Sequence, residues 1–343
     1  MASAMSGLAA MSDALASGYH GPPELTLVRA LTQWTLDPWA LAFVLLLGGL
    51  YLSGVRRVRR SGTAWPPGLT VAFCGLGLGF CVIATMSWVG VYQPVLFYAR
   101  SVQTILLLLV VPLFLALGRP LSLMIASLPG PGARVEAAIR SRAARTLTFP
   151  AVTTMVLVLV PFVLYFTSWY AAGFHNVAVR ELTGLALLGP GFVFFWTLLR
   201  VDPVPKAYPY LVALWITGAE VVGDAVLGLA VLADHSLIAG AYYHALARPW
   251  GPSLATDQVL GGGTLWILGD IVGLPFLAAQ LIQMIREDEA DAAVIDAELD
   301  ARDAARAAAP AQEASGDAQG DRPWWETDPR LAGRFQPVDD GNE

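Results

Sequence analysis

Arg100, Arg180, Glu181, Glu220, Asp224 and Asp270 stand inside or at the margins of long apolar runs, and they are the residues from which chemistry is expected. An ionisable group in such a run must be paired, solvated through a cavity or neutralised, so each one marks a site. Arg100 and Thr104 sit at i and i+4 and share one helix face. Glu220 and Asp224 are likewise one turn apart. If the runs cross a membrane in alternation, Arg100, Arg180 and Glu181 lie near the outer surface, Asp224 in the outer half of its span and Glu220 deeper. The expectation is convergence into an ion-paired cluster, with Arg100 or Arg180 opposite Asp224 and Asp270 joining from below. An unpaired acid at that depth costs about 2.5–3.5 kcal/mol, which favours pairing. The alternative is arginines that snorkel outward separately over acids solvated by a shallow vestibule.

Other reactive residues are sparse. The chain has 4 histidines, and His20, His175, His235 and His244 all fall outside the apolar runs. His175, His235 and His244 are weak metal-site candidates, because they lack close spacing. Met1, Met5 and Met11 beside His20 form a still weaker soft-cation set in a small-residue segment. Cys74 and Cys81 share a helix face at two turns' separation, on the order of 10 Å, beyond disulfide reach. They read as small buried residues. No GxSxG, HExxH, CxxC or phosphate-cradling loop is present, so the chain is not expected to be an enzyme.

The elements that hold these residues are membrane spans. Of 343 residues 56% are hydrophobic and 14% charged, too apolar for an ordinary soluble domain. Apolar runs at 39–55, 67–92, 97–117, 149–167, 181–199, 208–232 and 259–285 are each long enough to cross about 30 Å of hydrocarbon. Basic residues cluster in alternate connections: Arg56, Arg57, Arg59 and Arg60; Arg119, Arg134, Arg140, Arg142 and Arg145; Arg200 and Lys206. By the positive-inside rule those connections are cytoplasmic. The predicted fold is therefore an all-α polytopic membrane helix bundle of about seven spans, N-terminus outside and C-terminus cytoplasmic. Its predicted divisions are an N-terminal extracytoplasmic segment 1–38, the membrane domain 39–285 and an acidic cytoplasmic tail 286–343. The N-terminal segment lacks a secretory signal and is expected to be retained and poorly ordered. Tyr92, Trp169, Tyr170, Tyr242, Tyr243 and Trp250 near outer helix ends read as an interfacial belt. The basic connection after the third run reads either as an amphipathic helix or as a solvated loop. The lipid bilayer is the expected surrounding, and nothing points to nucleic acid.

In the last run, Gly261, Gly262 and Gly263 read as a packing seam that permits close backbone approach. Asp257 and Gln258 just before them are expected to cap that helix start. In the tail, alanines and charges favour helix, then a polar linker leads to Trp324, Trp325 and Phe335. Those aromatics are candidates for docking to a cytoplasmic partner or the membrane surface.

The segments VYQPVLFYARSVQTILLLLVVPLFLALGRP, FFWTLLRVDP, DAVLGLAVL and DQVLGGGTLWILGD, in this order, resemble the polytopic CtaG-type cytochrome c oxidase assembly factors. The likeness runs from about residue 31 to 287 and implies a multi-pass protein of a bacterial plasma membrane. It also implies a role in respiratory oxidase biogenesis connected with copper homeostasis, with oxidase subunits or other assembly factors as partners. In that family histidines would stand at Arg100 and Thr104, at Arg180, Thr183 and Ala186, and at Asp224. Their replacement marks a divergent member with no copper expected at these positions, since a guanidinium offers no lone pair. The competing expectation is an ion- or proton-coupled transporter using the intramembrane Glu and Asp residues.

Overall fold

The computed structural model describes residues 18–206 and 208–308. The chain divides into two units, Met1–Ile282 and Gln283–Glu343. In the second, residues 283–308 are helical, and 283–286 and 288–305 are almost wholly exposed. Trp324, Trp325 and Phe335, and Met1, Met5 and Met11, lie outside the described residues.

The described residues form helices and no strands. A short α1 (Leu27–Thr32) precedes α2 (Pro38–Arg60), α3 (Pro67–Tyr92) and α4 (Phe97–Leu117). Then come α5 (Pro120–Ser127), α6 (Pro129–Ile139) and α7 (Arg142–Leu147), so the basic connection is helical rather than a loop. α8 (Pro150–Phe166) and α9 (Trp169–His175) meet at a 68° bend. α10 (Val177–Leu199), α11 (Tyr210–Ala233), α12 (Gly240–Leu246) and α13 (Leu254–Ala308) complete the order. Six of these helices are long and apolar enough to cross a membrane, or seven if α8 and α9 are one span.

Local sequence explains the helix ends. Asp37 caps α2 by accepting from the Trp39 and Ala40 amides at 3.0 and 3.2 Å, and Pro38 sits at the first turn where its missing N–H costs nothing. Arg57, Arg59 and Arg60 close the same helix, where cations complement its dipole. Outward faces are apolar: Leu45, Leu46, Leu50, Val222, Ile267 and Ile271 are all exposed, a surface that suits hydrocarbon rather than water.

α4 is the axis of the bundle. Its central window is 67% buried, against 22–44% for the other spans. Phe97, Leu108, Leu109 and Val111 pack with Leu157 and Tyr165 of α8, Phe194 and Phe195 of α10, and Leu265 of α13. Midway along it the helix widens into a π turn at Leu106–Val110, next to Pro112. Proline cannot donate to the carbonyl of Leu108, and Gly191 of α10 lies directly against that carbonyl. The freed oxygen is thus covered by a neighbouring backbone that only glycine lets come so close.

The glycine seam is narrower than the sequence implies. Gly261 lies against the Phe97 ring, and a Cβ there would also come within 2.9 Å of Ser101 Oγ. Gly262 meets the backbone of Gly228 on α11, where a Cβ would lie 2.9 Å from the Gly228 carbonyl oxygen. Gly263 faces open space and belongs to no seam, because it has rotated off the shared face.

The expected cap at the start of α13 is also corrected. Asp257 accepts hydrogen bonds from the Phe97 and Tyr98 amides, both at 3.1 Å, so it caps α4. Gln258 accepts from the Ile238 amide at 2.8 Å and donates to the carbonyls of Asp234 and Ser236, each at 3.0 Å, so it closes the end of α11. Both residues face inward and satisfy neighbours rather than their own helix. The segment before α1 is likewise not loose where it is described. Tyr19 is buried against Trp250, and the Tyr92 hydroxyl donates to the Pro23 carbonyl at 2.8 Å. Burial pushes the Tyr19 phenol up to about 12.

Candidate functional site

Helix N-termini gather at one end of the bundle around a cavity of 360 Å³. The start of α2 contributes Asp37, the connection into α4 contributes Gln93, and the first turns of α4 and α10 contribute Arg100, Gln103, Arg180, Glu181 and Thr183. Arg180 is held at 3.3 Å by Asp37 and at 2.9 Å by its neighbour Glu181. Asp37 therefore does two jobs, capping α2 with one oxygen and tying α10 to it with the other.

Arg100 is held differently. It is 5% exposed, and among the described residues no carboxylate lies within ion-pair distance. Its Nη1 donates to Gln93 Oε1 at 3.0 Å and to Gln103 Oε1 at 2.8 Å, while Nε is buried without a partner. Gln103 is itself fixed by donating to the Ala84 carbonyl at 2.9 Å. Behind the guanidinium stand the rings of Tyr170 and Phe174, 5.9 and 6.0 Å from its carbon. The Tyr170 and Tyr243 hydroxyls share a hydrogen bond of 2.8 Å. Burial raises the Tyr243 phenol above its ordinary value, so this wall stays uncharged. Thr104 points away from the cavity, its hydroxyl 3.0 Å from that of Tyr165 and 3.0 Å from the Arg100 carbonyl.

The acids of α11 and α13 form a second, separate group. Glu220 and Asp224 are 2% and 3% exposed and pack on Gly273 and Gly269 of α13. Asp270 interacts electrostatically with both, and Asp224 Oδ2 and Asp270 Oδ1 are buried without hydrogen-bond partners. One turn away Thr217 donates to Gln280 at 2.9 Å, extending a polar seam between the two helices. Among the described residues no ion pair joins Arg100 or Arg180 to Asp224. The expected single cluster is thus two sites, because equal depth does not bring side chains onto facing sides of their helices.

The histidines do not assemble either. His175 and His235 each contact a carbonyl of their own segment, Ala171 at 2.9 Å and Ala233 at 2.8 Å, and both are exposed along with His244. Among the described residues no group of three or more His, Cys, Asp or Glu is arranged to hold a metal ion. A copper ion at the positions the resemblance implies would meet the guanidinium of Arg100 and the paired Arg180, while Asp224 belongs to the other site. These residues do not fit a copper centre.

Asp37, Gln93 and Gln103 are site residues that sequence reasoning missed. For Asp37 a signal existed, the Asp-Pro pair that opens an apolar run. For the two glutamines there was none, since neutral amides at a span margin are unremarkable in composition.

The description that matches this chain is that of the cytochrome c oxidase caa3 assembly factor family, over residues 49–287. Uncharacterized proteins of Mycobacterium leprae and Mycobacterium tuberculosis are each 28% identical to it over 292 residues. That alignment takes in 83% of this chain and 44% of the relative, so the chain spans less than half the length of these proteins. No solved structure matches significantly.

Proposed function

The chain belongs to the cytochrome c oxidase caa3 assembly factor family, and from that premise we propose that it serves assembly of a respiratory cytochrome c oxidase. It does so in a bacterial plasma membrane, by contact with oxidase subunits or other assembly factors rather than by carrying copper. The observation that carries this reading is the occupancy of the polar cavity by Arg100 and by the Asp37–Arg180–Glu181 group. Guanidinium groups repel a metal cation and have no lone pair to offer it. They are suited to recognising an acidic or carbonyl-rich partner surface. The alternation of basic connections favours the cavity end outside and the acidic tail inside.

Deleting the gene is expected to lower oxidase activity and assembled oxidase in membranes, and the full chain is expected to restore both. Unchanged oxidase in the deletion strain would sink the assembly role. Stoichiometric copper in the purified chain after copper loading would sink the contact route while leaving the assembly role standing.

A second reading, an ion- or proton-coupled transporter, draws on the three acids gathered between α11 and α13, which no cation among the described residues pairs. Flux across proteoliposomes that vanishes in Glu220→Gln, with the helical fold retained, would favour it.

A further inference from the structure

Arg100 is a buried cation with a neutral first set of partners, a combination that leaves its charge uncompensated among the described residues. Arg180, which lines the same cavity from α10, is already matched by two carboxylates. The unpartnered Nε of Arg100 adds an unmet donor to the unmet charge. The tyrosine and phenylalanine rings behind the guanidinium close its far side, so compensation has to come from the cavity.

A second observation says what kind of molecule reaches it. The cavity adjoins an apolar groove of 210 Å³ lined by Trp39, Phe43, Cys81, Leu185 and Leu188. Cavity and groove share Thr85, Leu107, Glu181 and Gly184, so a polar head and an apolar chain can occupy them together. The groove lies beside α2, whose neighbouring side chains Trp39, Leu45 and Leu46 are exposed and apolar. Helix N-termini around the cavity place it at the depth of lipid head groups rather than of the chains.

We propose that this site binds one anionic amphiphile, with a phosphate or carboxylate head on Arg100 and its chain in the groove between α2 and α10. Within the bilayer the occupant is an anionic phospholipid entering sideways. Gly184 is the gate between head and chain compartments, since it borders both and a Cβ there meets nothing within 4 Å.

The test uses the full chain, delipidated in a neutral detergent, with phosphatidylglycerol, phosphatidylcholine of the same chains, and inorganic phosphate as probes in native mass spectrometry. The expected result is one tightly held phosphatidylglycerol, preferred over phosphatidylcholine by about 10- to 100-fold, the range of a charge-assisted hydrogen bond. Arg100→Gln is expected to abolish the preference, and Gly184→Leu to abolish retention of the lipid by filling the groove. If Arg100→Gln does not fold, Gly184→Leu decides alone, because its added atoms enter open space. A preference that survives Arg100→Gln overturns the proposal, as does lipid retention unchanged in Gly184→Leu. Inorganic phosphate that displaces phosphatidylglycerol and binds Gly184→Leu as well as the native chain makes this a free-anion site and overturns the amphiphile.

Discussion

Replacing Asp257 by alanine is the substitution whose consequence the structure fixes most closely. The carboxylate is 1% exposed and holds the first two amides of α4 at 3.1 Å each, while the Arg248 guanidinium, itself 3% exposed, lies at 3.3 Å. Removing the cap costs about 0.5–2 kcal/mol. Stranding Arg248 costs more, about 3–5 kcal/mol for a fully buried pair broken on one side. Part of that is offset here, because Arg248 keeps the Trp250 and Pro252 carbonyls at 2.7 and 3.0 Å and the Trp250 ring at 4.9 Å. The expected loss for Asp257→Ala is therefore about 3–5 kcal/mol, on the order of 10 °C in a cooperative transition of this size. Asp257→Asn keeps an acceptor oxygen and is expected to lose about 1–3 kcal/mol. The measurement is unfolding of the purified chain in mixed micelles, followed by circular dichroism, with Arg248→Met added to complete a double-mutant cycle. A loss below about 1 kcal/mol for Asp257→Ala, or additivity within about 0.5 kcal/mol in the cycle, would refute the cap-and-pair assignment.

The glycine seam and the N-terminal segment give two further tests. Gly261→Ala is expected to destabilise by about 1–3 kcal/mol through overpacking on Phe97 and Ser101. Gly263→Ala, facing open space, is expected to be neutral or to stabilise by up to about 1 kcal/mol, and equal effects at the two positions would contradict the seam. Tyr19 has a folded pKa of about 12, above its ordinary 10, so its contribution is whole below pH 10 and lost as pH rises through 12. Amide protection over residues 18–25, taken relative to the base-catalysed exchange rate of the unfolded chain at the same pH, is expected to fall across that window in the native chain and not in Tyr19→Phe; identical protection profiles would show that the phenol does not control the docking.

The bundle was legible because apolar run length and the alternation of arginine-rich connections report directly on spans. Depth was legible too, which is why Arg100, Arg180 and Glu181 were expected together and line one cavity. What the sequence could not supply is azimuth. Depth along a span is a single coordinate, while the partner of a side chain depends on helix order and rotation. Asp224 shares a depth with the arginines on paper, yet it turns toward Gly269 of α13. Conversely, Asp37 meets Arg180 across 143 positions of sequence, a distance at which no local pattern speaks.

The same limit explains what the most distinctive segments of the chain encode. FFWTLLRVDP carries Asp202, which is buried and accepts from the Leu121 and Ser122 amides at 2.9 and 2.8 Å, capping α5. DQVLGGGTLW carries Asp257 and Gln258, which close α4 and α11. Each of these polar residues satisfies the end of a helix remote from its own. Unsatisfied helix ends in a bilayer cost several kcal/mol apiece, so such caps specify which helices are neighbours and in what register. A likeness built on these segments therefore reports a shared architecture. The lining of the cavity, Gln93, Arg100, Gln103, Arg180 and Glu181, takes no part in those caps, so its chemistry is physically separable from the architecture they specify. Substitutions confined to that lining would thus leave every cap in place while changing whether that end of the bundle attracts a cation or an anion.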